Sequence, residues 1–306
     1  MPRRDTYTIR LEPALGSRFQ PTGFPNLGAA EFERPVDDGG WERCLLVESE
    51  QSMANRLEAT LWDEPRKAPI EVIEALPHLV WDGGDGQTTS SRLEAHRIAS
   101  PYFRNAETED GAKGIDWMNQ RLGLVDDRLR APFEFAAALF ALDPLCLVHG
   151  VFLSDKAFNG NPRVARAITA NIEAYDVREA YSGGVKKDSV RTGASAGKGS
   201  AEGYGMVPFD RTEWTARRIE AHVAIDLDQI ASYRLSEAQT AVLEALARYE
   251  VAALFTGTLR LRTACDLQVN DGDVPPLQDA ERALRAAVAE LDPADRGGAH
   301  LLHGGS

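Results

Sequence analysis

The sequence has few cysteines and no long apolar segment. Its three cysteines, Cys44, Cys146 and Cys265, are far apart and each lies in an apolar or strand-like context. Because metal sites need closely spaced Cys or His ligands, we interpret all three as buried free thiols and expect neither a metal nor another cofactor. No apolar run approaches the roughly 18 residues of a spanning helix, and none follows Arg3 and Arg4. We therefore expect a cytoplasmic protein without a membrane partner.

Motifs for catalysis are also missing. The segment GASAGKGS at residues 193–200 resembles a phosphate-binding loop, but three residues separate Gly193 from Gly197 and Gly199 follows Lys198. The phosphate-loop pattern needs four intervening residues and a Ser or Thr after the lysine. No G-x-S-x-G nucleophile signature is present, and no carboxylate pair stands out from the acidic background. The sequence therefore predicts a protein that is not an enzyme.

Positive charge is scarce in the whole chain but concentrated in one stretch. The chain has 34 Lys and Arg against 47 Asp and Glu, a net charge of -13. Between Ser182 and Arg218, seven basic residues against four acidic ones leave a local net charge of +3. Overall acidity argues against indiscriminate DNA binding. A basic loop rich in Gly and Ser is suited to holding a nucleic-acid backbone, and we predict an insertion between strands at residues 165–180 and 213–228.

Apolar patterns predict a mixed α+β chain whose residues 1–42 are irregular, because proline and glycine recur there at short intervals. Short apolar runs or alternation predict strands, and a helical apolar period predicts helices. The further expected strands are residues 41–49, 76–83, 145–153 and 258–269. The expected helices are residues 49–62, 91–103 with an end at Pro101, 114–124 with an end at Gly123, 133–142, 237–255 and 279–292. Residues 297–306 are expected to fray.

The order of these elements is compatible with a ferredoxin-like β-α-β-β-α-β core that carries insertions. A capping box, Ser236-x-x-Gln239, marks the start of the second core helix. Such a sheet is a common platform for RNA binding. The fold class that we predict is therefore α+β, with a ferredoxin-like or RRM-like core.

The helix that follows the strand at residues 41–49 is a candidate phosphate site. Ser49 is suited to cap it, and Gln51, Asn55 and Arg56 lie in its first two turns. Free N–H groups at a helix N-terminus attract anions, and a guanidinium group adds charge. The residues alone leave open the alternative that this is an ordinary solvated helix face.

Two histidines allow an alternative, catalytic interpretation. His149 lies in the apolar run at residues 145–153 beside Gly150, and His96 lies in the predicted helix at residues 91–103. Either could serve as a general acid or base. The other interpretation is that His149 is a hydrogen-bonded core residue and His96 belongs to a polar helix face.

Five segments taken together resemble a known family. They are QSMANRLEATLW, SRLEAHRIASPY, DPLCLVHGVFLSD, GGVKKDSV and GYGMVPFDRTEWTA, in this order. They resemble the Cas-seven backbone subunit of CRISPR Cascade complexes, in the type I-U (also called I-G) branch of the RAMP superfamily. The resemblance extends from about residue 44 to 270. It implies a single RRM-like palm over residues 1–306, with helical fingers inserted at 62–142, a flexible basic thumb at 181–212, and a C-terminal helix and tail at 270–306.

The resemblance also implies a function. Copies of such a subunit form a filament along crRNA, contact other Cascade subunits, and present the guide for pairing with target DNA in antiviral defence. In that family the subunit is not a nuclease. Two alternatives remain at this point: a RAMP-type endoribonuclease using His149 or His96, and a small-molecule enzyme that uses the Gly-rich loop as a lid.

The same resemblance implies which residues contact RNA. It favours RNA contact for Ser49, Gln51, Asn55 and Arg56 over the solvated-face interpretation. In the thumb it implies phosphate contacts and an apolar wedge at a kinked base, with weaker candidates near the last strand. The phosphate contacts are Lys186, Lys187, Arg191, Lys198 and Arg211, the wedge is Met206 and Phe209 with Val207, and the weaker candidates are Arg260 and Arg262.

Overall fold

The computed structural model describes residues 3–24, 28–124, 131–187, 206–272 and 274–304. The fold is α+β, as predicted. The strands are β1 (Arg4–Pro13), β2 (Gly23–Phe24), β3 (Gly28–Ala29), β4 (Glu31–Pro35), β5 (Trp41–Glu48), β6 (Trp62–Asp63), β7 (Ala68–Pro69), β8 (His78–Asp82), β9 (Thr88–Ser90), β10 (Val151–Phe152), β11 (Arg163–Val164), β12 (Ile168–Lys187), β13 (Met206–Asp226), β14 (Thr258–Arg262), β15 (Cys265–Gly272) and β16 (Ala299–His303). The helices are α1 (Glu50–Ala59), α2 (Pro101–Arg104), α3 (Gly114–Leu122), α4 (Pro132–Phe140), α5 (Leu145–Val148), α6 (Leu227–Ser232), α7 (Glu237–Leu254) and α8 (Leu277–Ala289).

The main sheet has seven strands in the order β14-β15-β1-β13-β12-β5-β4, and each neighbouring pair is antiparallel. Strands β12 and β13 pair from Ile168 and Ile225 to Lys187 and Met206. The pairing of β12 with β5 ends at Tyr175 and that of β13 with β1 ends at Ile219, so the distal part of the hairpin continues as a two-stranded ribbon. The two strands predicted on either side of the basic stretch are present and pair with each other, and both extend further into that stretch than predicted; residues 188–205 lie outside the described residues.

One face of this sheet carries the core. Alternate residues of a strand point to opposite faces, and Ile9, Ile172 and Ala221 lie on the face that is fully buried. Helix α1 packs against β12 and α7 on this side. The opposite face is polar and includes Thr8, which pairs with His222. Such alternation is typical of an antiparallel sheet with one face on a core.

Short sequence patterns predicted several elements correctly. Strand β5 and helix α1 follow each other as predicted, and the Ser49 hydroxyl caps α1 by accepting a hydrogen bond from the Ser52 N–H at 3.4 Å. Ser236 and Gln239 form both hydrogen bonds of the predicted capping box, each 3.1 Å long. Gly123 ends α3 in the left-handed region, with φ of 63°. The three cysteines are buried and free.

The prediction of an irregular N-terminus was wrong. Residues Arg4–Pro13 form β1, which lies between β15 and β13 in the middle of the main sheet. Ile9 and Leu11 are buried and alternate with exposed Thr8 and Arg10. The signal was therefore present as alternation, while the prolines and glycines that suggested irregular structure follow the strand.

Two predictions between residues 91 and 153 were also wrong. The segment 91–103 is not one helix: Arg97–Ala99 form a short 3-10 turn, and Pro101 begins α2 instead of ending a helix. Proline is favoured in a first helical turn because its missing N–H would have no intrahelical partner. The run at residues 145–153 is not one strand, since Leu145–Val148 form α5 and only Val151–Phe152 form a strand, β10. Periodicity cannot separate strand from helix when every side chain is buried.

The C-terminal third differs from prediction in two places. The strand expected at residues 258–269 is a hairpin of β14 and β15, whose turn holds Ala264 at φ of 59°. The tail does not fray within the described residues, because β16 pairs in parallel with β8. Strands β16, β8 and β9 form a second, three-stranded sheet. Among the described residues, no helix is long and apolar enough to cross a membrane.

Candidate nucleic-acid interface

The four residues predicted at helix α1 separate into two groups. Gln51 and Asn55 are exposed and lie one turn apart on the same helix face. Ser49 is half-buried and its hydroxyl serves the helix cap. Arg56 instead reaches β14, where its guanidinium donates to the carbonyl of Leu261 at 2.6 Å.

Arg56 and Arg262 meet at one buried carboxylate. The Glu48 side chain is 2% exposed; Arg56 Nη2 lies 3.4 Å from its Oε2, and Arg262 donates a hydrogen bond to the same oxygen. Arg262 also donates to the carbonyls of Gln20 and Val47 at 3.0 Å each. We call this group the Glu48 triad. Two guanidinium groups share one carboxylate, so the triad keeps one net positive charge.

A second group repeats this arrangement at the base of the ribbon. Arg211 Nε donates to Glu213 Oε1 at 2.8 Å, and Arg18 Nη1 lies 3.2 Å from Glu213 Oε2. The Glu213 side chain is 4% exposed, whereas Arg18 is about half exposed. We call this group the Glu213 triad. Two arginines again share one carboxylate, and Arg18 is the more exposed of the two.

The two triads border one cleft. Arg211, Arg262 and Trp214 line it together with Thr212 and Gln20, and its volume is about 660 Å³. We call it the arginine cleft. A guanidinium group can bind a phosphate with two parallel hydrogen bonds, whereas Trp214 is 3% exposed and belongs to the wall of the cleft. The arrangement is therefore suited to the phosphate groups of a nucleic-acid backbone.

Acidic residues limit the width of this positive surface. Glu31 and Glu179 also line the arginine cleft, and both bind Arg43, at 2.6 and 3.1 Å. The Arg43 guanidinium lies 4.9 Å from the centre of the Trp214 ring. These pairs keep the positive charge confined to the two triads, which fits a narrow groove on an acidic body.

The remaining predicted residues lie on or beyond the ribbon and at β14. Arg260 is exposed and lies 3.8 Å from Asp266. The backbones of Lys186 and Lys187 end β12, and those of Met206 and Phe209 lie in the first part of β13. The side chains of these four residues, and Val207 with them, lie outside the described part of the chain, as do the whole residues Arg191 and Lys198.

His149 is enclosed in the core. It is 1% exposed, and its Nε2 lies 2.7 Å from Glu250 Oε1. Burial lowers the pKa of His149, but the Glu250 carboxylate outweighs this effect and the net shift is upward. Burial raises the pKa of Glu250. His149 is therefore a hydrogen-bonded core residue, whereas His96 is exposed on the surface.

The polar face of the main sheet carries another cluster. The guanidinium groups of Arg34 and Arg218 lie over the Tyr175 ring, 4.4 and 4.6 Å from its centre. Tyr175 donates a hydrogen bond to Glu173, and burial together with this bond raises the pKa of the phenol. Arg34 binds Glu42, and Arg218 lies 3.1 Å from Glu220. Each arginine here has its own carboxylate, so this cluster has less positive charge to offer than the triads.

Sequence reasoning selected Arg56, Arg211 and Arg262 but missed the residues that organise them. Arg18 and Glu48 lie far from each other and from Glu213 and Trp214 in the chain, and no short spacing connects these three places. One signal was available: Glu48 ends an apolar strand, where a carboxylate needs a partner. Among the described residues, no group of three or more His, Cys, Asp or Glu side chains is placed to hold a metal ion.

The model of a family described as CRISPR-associated protein GSU0053 matches residues 6–179. One solved structure, described as "CRISPR RNA-guided surveillance complex, pre-nicking", superposes with a TM-score of 0.41 and 14% sequence identity, over 86% of this chain and 73% of that chain. No curated protein matches the sequence.

Proposed function

The chain belongs to the CRISPR-associated protein GSU0053 family, and we propose that it is the crRNA-binding backbone subunit of a CRISPR interference complex. This membership confirms the resemblance to the Cas-seven family. In the proposed function, copies of the chain assemble along the guide RNA beside other Cascade subunits. The guide then pairs with target DNA.

We further propose that the core is an RRM-like palm. Four strands of the main sheet lie in the order β15-β1-β13-β12, with α1 between β1 and β12 in the chain and α7 between β13 and β15. A ferredoxin-like core numbered along the chain has the spatial order 4-1-3-2, and this arrangement supports that assignment. The first core strand is then β1, and β5 with β4 extends the sheet at one edge.

The arginine cleft is the observation that carries the RNA-binding proposal. Residues from distant parts of the chain converge there, and in each triad two arginines share one buried carboxylate. The cleft lies between the base of the ribbon and the β14 strand that α1 contacts through Arg56. These are the two regions for which the sequence predicts RNA contact.

We propose that the subunit has no catalytic activity of its own. A general acid or base must come within hydrogen-bond reach of its substrate. The buried position of His149 supports a structural role for this residue. No observation on the described residues favours the RAMP-type endoribonuclease over the binding subunit.

The first experiment measures binding of single-stranded guide RNA by fluorescence anisotropy. Arg211→Gln should weaken binding about tenfold, since hydrogen bonds to charged groups contribute roughly 1.5–3 kcal/mol. Arg285→Gln is the control, because Arg285 is an exposed arginine on α8 that pairs with Glu281. The double variant Lys186→Ala, Lys187→Ala should weaken binding without unfolding the protein. Equal binding by all of these proteins would contradict the proposal.

The second experiment tests assembly and the absence of catalysis. Sedimentation of the purified protein with guide RNA should give long repeating assemblies that are absent without RNA. Binding should weaken steeply with salt, because phosphate contacts release counterions. Cleavage of labelled RNA that is lost in His96→Ala would instead support the endoribonuclease.

A further inference from the structure

A second cleft lies beside the small sheet of β16, β8 and β9. Its volume is about 840 Å³, which is within the range of ligand pockets. Three aromatic side chains, Trp62, Trp81 and Tyr102, form part of its lining, and we call it the aromatic cleft. The Trp81 and Tyr102 rings have centroids 5.0 Å apart, and Tyr102 is 48% exposed.

The Trp81 ring is held in a fixed position. A Cβ atom at Gly83 would lie 2.1 Å from the Trp81 ring, and one at Gly304 would lie 3.1 Å from it. The indole therefore fits here because Gly83 and Gly304 have no side chain. Because Gly304 follows β16, which pairs with β8, the C-terminal strand closes this side of the cleft. A rigid aromatic surface of this kind loses little conformational entropy when a ligand binds.

The aromatic cleft is acidic. Its lining includes Glu64, Glu74 and Glu94 but one cationic side chain, Lys67. Glu74 also binds Arg66 at 3.0 Å, whereas Glu64 and Glu94 have no cationic partner among the described residues. A lining of this sign repels phosphate groups and attracts cations.

Neighbouring groups hold two of these carboxylates in place. Glu94 accepts hydrogen bonds from the hydroxyls of Thr89 at 2.7 Å and Ser100 at 2.9 Å. Glu64 accepts one from Trp62 Nε1 at 3.1 Å. His78 adds no charge near neutral pH, because burial and then Arg92 lower its pKa to about 4. The carboxylates are thus oriented before any ligand arrives.

We propose that the aromatic cleft is a docking site for a basic segment of a partner protein, which places an arginine or lysine side chain against Trp81 and Tyr102. A cation over an aromatic face is attracted by the ring quadrupole, and nearby carboxylates add to the attraction. The partner is identified by its charge, which is opposite to that of the cleft. This inference does not depend on the proposed RNA binding, since the two clefts share no lining residue.

The test uses the full chain, freed of RNA, and a fluorescein-labelled octa-arginine peptide as the probe. Anisotropy titration should show that Tyr102→Leu weakens peptide binding about fivefold, which corresponds to the loss of one cation–aromatic contact. Trp41→Leu is the matched control, because Trp41 is an aromatic residue on β5 that is 68% exposed. This control should bind the peptide as the wild type does.

A second pair of variants separates local from overall charge. Glu64→Gln and Glu290→Gln each remove one carboxylate, from the cleft and from the exposed end of α8 respectively. Glu64→Gln should weaken peptide binding about threefold, as expected for a pair near the surface. Thermal unfolding of each variant checks that the fold is intact.

Two results would overturn the proposal. If each cleft variant binds the peptide as its control does, the attraction comes from the net charge of the chain and the aromatic cleft is not a docking site. If Tyr102→Leu instead loses affinity for a labelled oligouridine, the cleft holds a nucleobase. Failure of the RNA-binding proposal at the arginine cleft would leave both measurements unaffected.

Discussion

The two clefts are similar in size and both contain tryptophan, yet their charged residues are arranged differently. In the arginine cleft, arginines outnumber the buried carboxylates that hold them by two to one. In the aromatic cleft, carboxylates outnumber the one lysine by three to one. A chain with a net charge of -13 can therefore offer a narrow surface to nucleic acid and a separate one to a basic partner. Local pairing, more than overall charge, decides what each surface attracts.

The largest expected effect is at the buried charge of the arginine cleft. Glu48→Leu should lower the free energy of unfolding by about 4 kcal/mol, because it leaves Arg56 and Arg262 without their shared carboxylate. Glu281→Ala removes an exposed carboxylate on α8 and should change stability by less than about 0.5 kcal/mol. Urea unfolding measures both. A cost for Glu48→Leu as small as that of the control would show that the triad does not hold the cleft together.

Of the two clefts, the aromatic cleft should contribute more to the loss of folding stability at low pH. Burial lowers the pKa of His78 to about 4 from 6.5. Between these two values the unfolded chain binds a proton that the folded chain does not, so stability falls as the pH is lowered through this window. His78 alone should account for about 3 kcal/mol of this loss. Urea unfolding of His78→Gln from pH 7 to pH 4 should show a correspondingly smaller decrease; an unchanged pH dependence would contradict the assignment.

A smaller effect distinguishes the ligands of the two clefts. Arg18→Gln should weaken guide-RNA binding about tenfold and reduce the slope of log affinity against log salt by about 0.7, the value for one phosphate contact on a single strand. The same change should leave octa-arginine binding unaltered or slightly stronger. Anisotropy titrations at several salt concentrations measure both ligands. The contrast between the clefts would disappear if Arg18→Gln changed the two affinities in the same direction.

The smallest expected effect concerns Ser49, which caps α1 and is also a predicted RNA contact. Ser49→Ala should cost about 1 kcal/mol of stability through loss of the cap. Ser49→Asp keeps a capping oxygen and adds a negative charge, so it should retain stability while weakening RNA binding. Thermal unfolding and RNA titration of the two variants separate the roles. If Ser49→Asp binds RNA like the wild type, Ser49 serves the helix alone.

Elements with signals inside a few residues could be predicted from sequence. The caps at Ser49 and Ser236 and the stop at Gly123 depend on bonds that span three or four residues, so their patterns are local. The helix Leu145–Val148 was predicted as a strand because all four of its side chains are buried, so no periodic pattern distinguishes the two. Strand β1 was missed although its alternation is local; only its place between β13 and β15, which follow it by more than 190 residues, depends on long-range pairing.

The candidate site shows the same difference between short-range and long-range determinants. Arg56, Arg211 and Arg262 could be selected as charged residues in basic or helical patterns. The sharing of each buried carboxylate by two arginines could not, since Arg262 reaches Glu48 and Arg18 reaches Glu213 from far away in the chain. The aromatic cleft had no sequence signal either, because its closure needs β16 to return to β8.

The sequence by itself determined the family, the caps of α1 and α7, the long hairpin and the concentration of basic residues within it. These features depend on residues that are close together in the sequence and on their order along the chain. Only the tertiary structure decided which arginines share a carboxylate, that His149 is buried in the core, and that three carboxylates line the aromatic cleft. Those outcomes depend on contacts between segments far apart in sequence, and spacing along a chain does not encode such contacts.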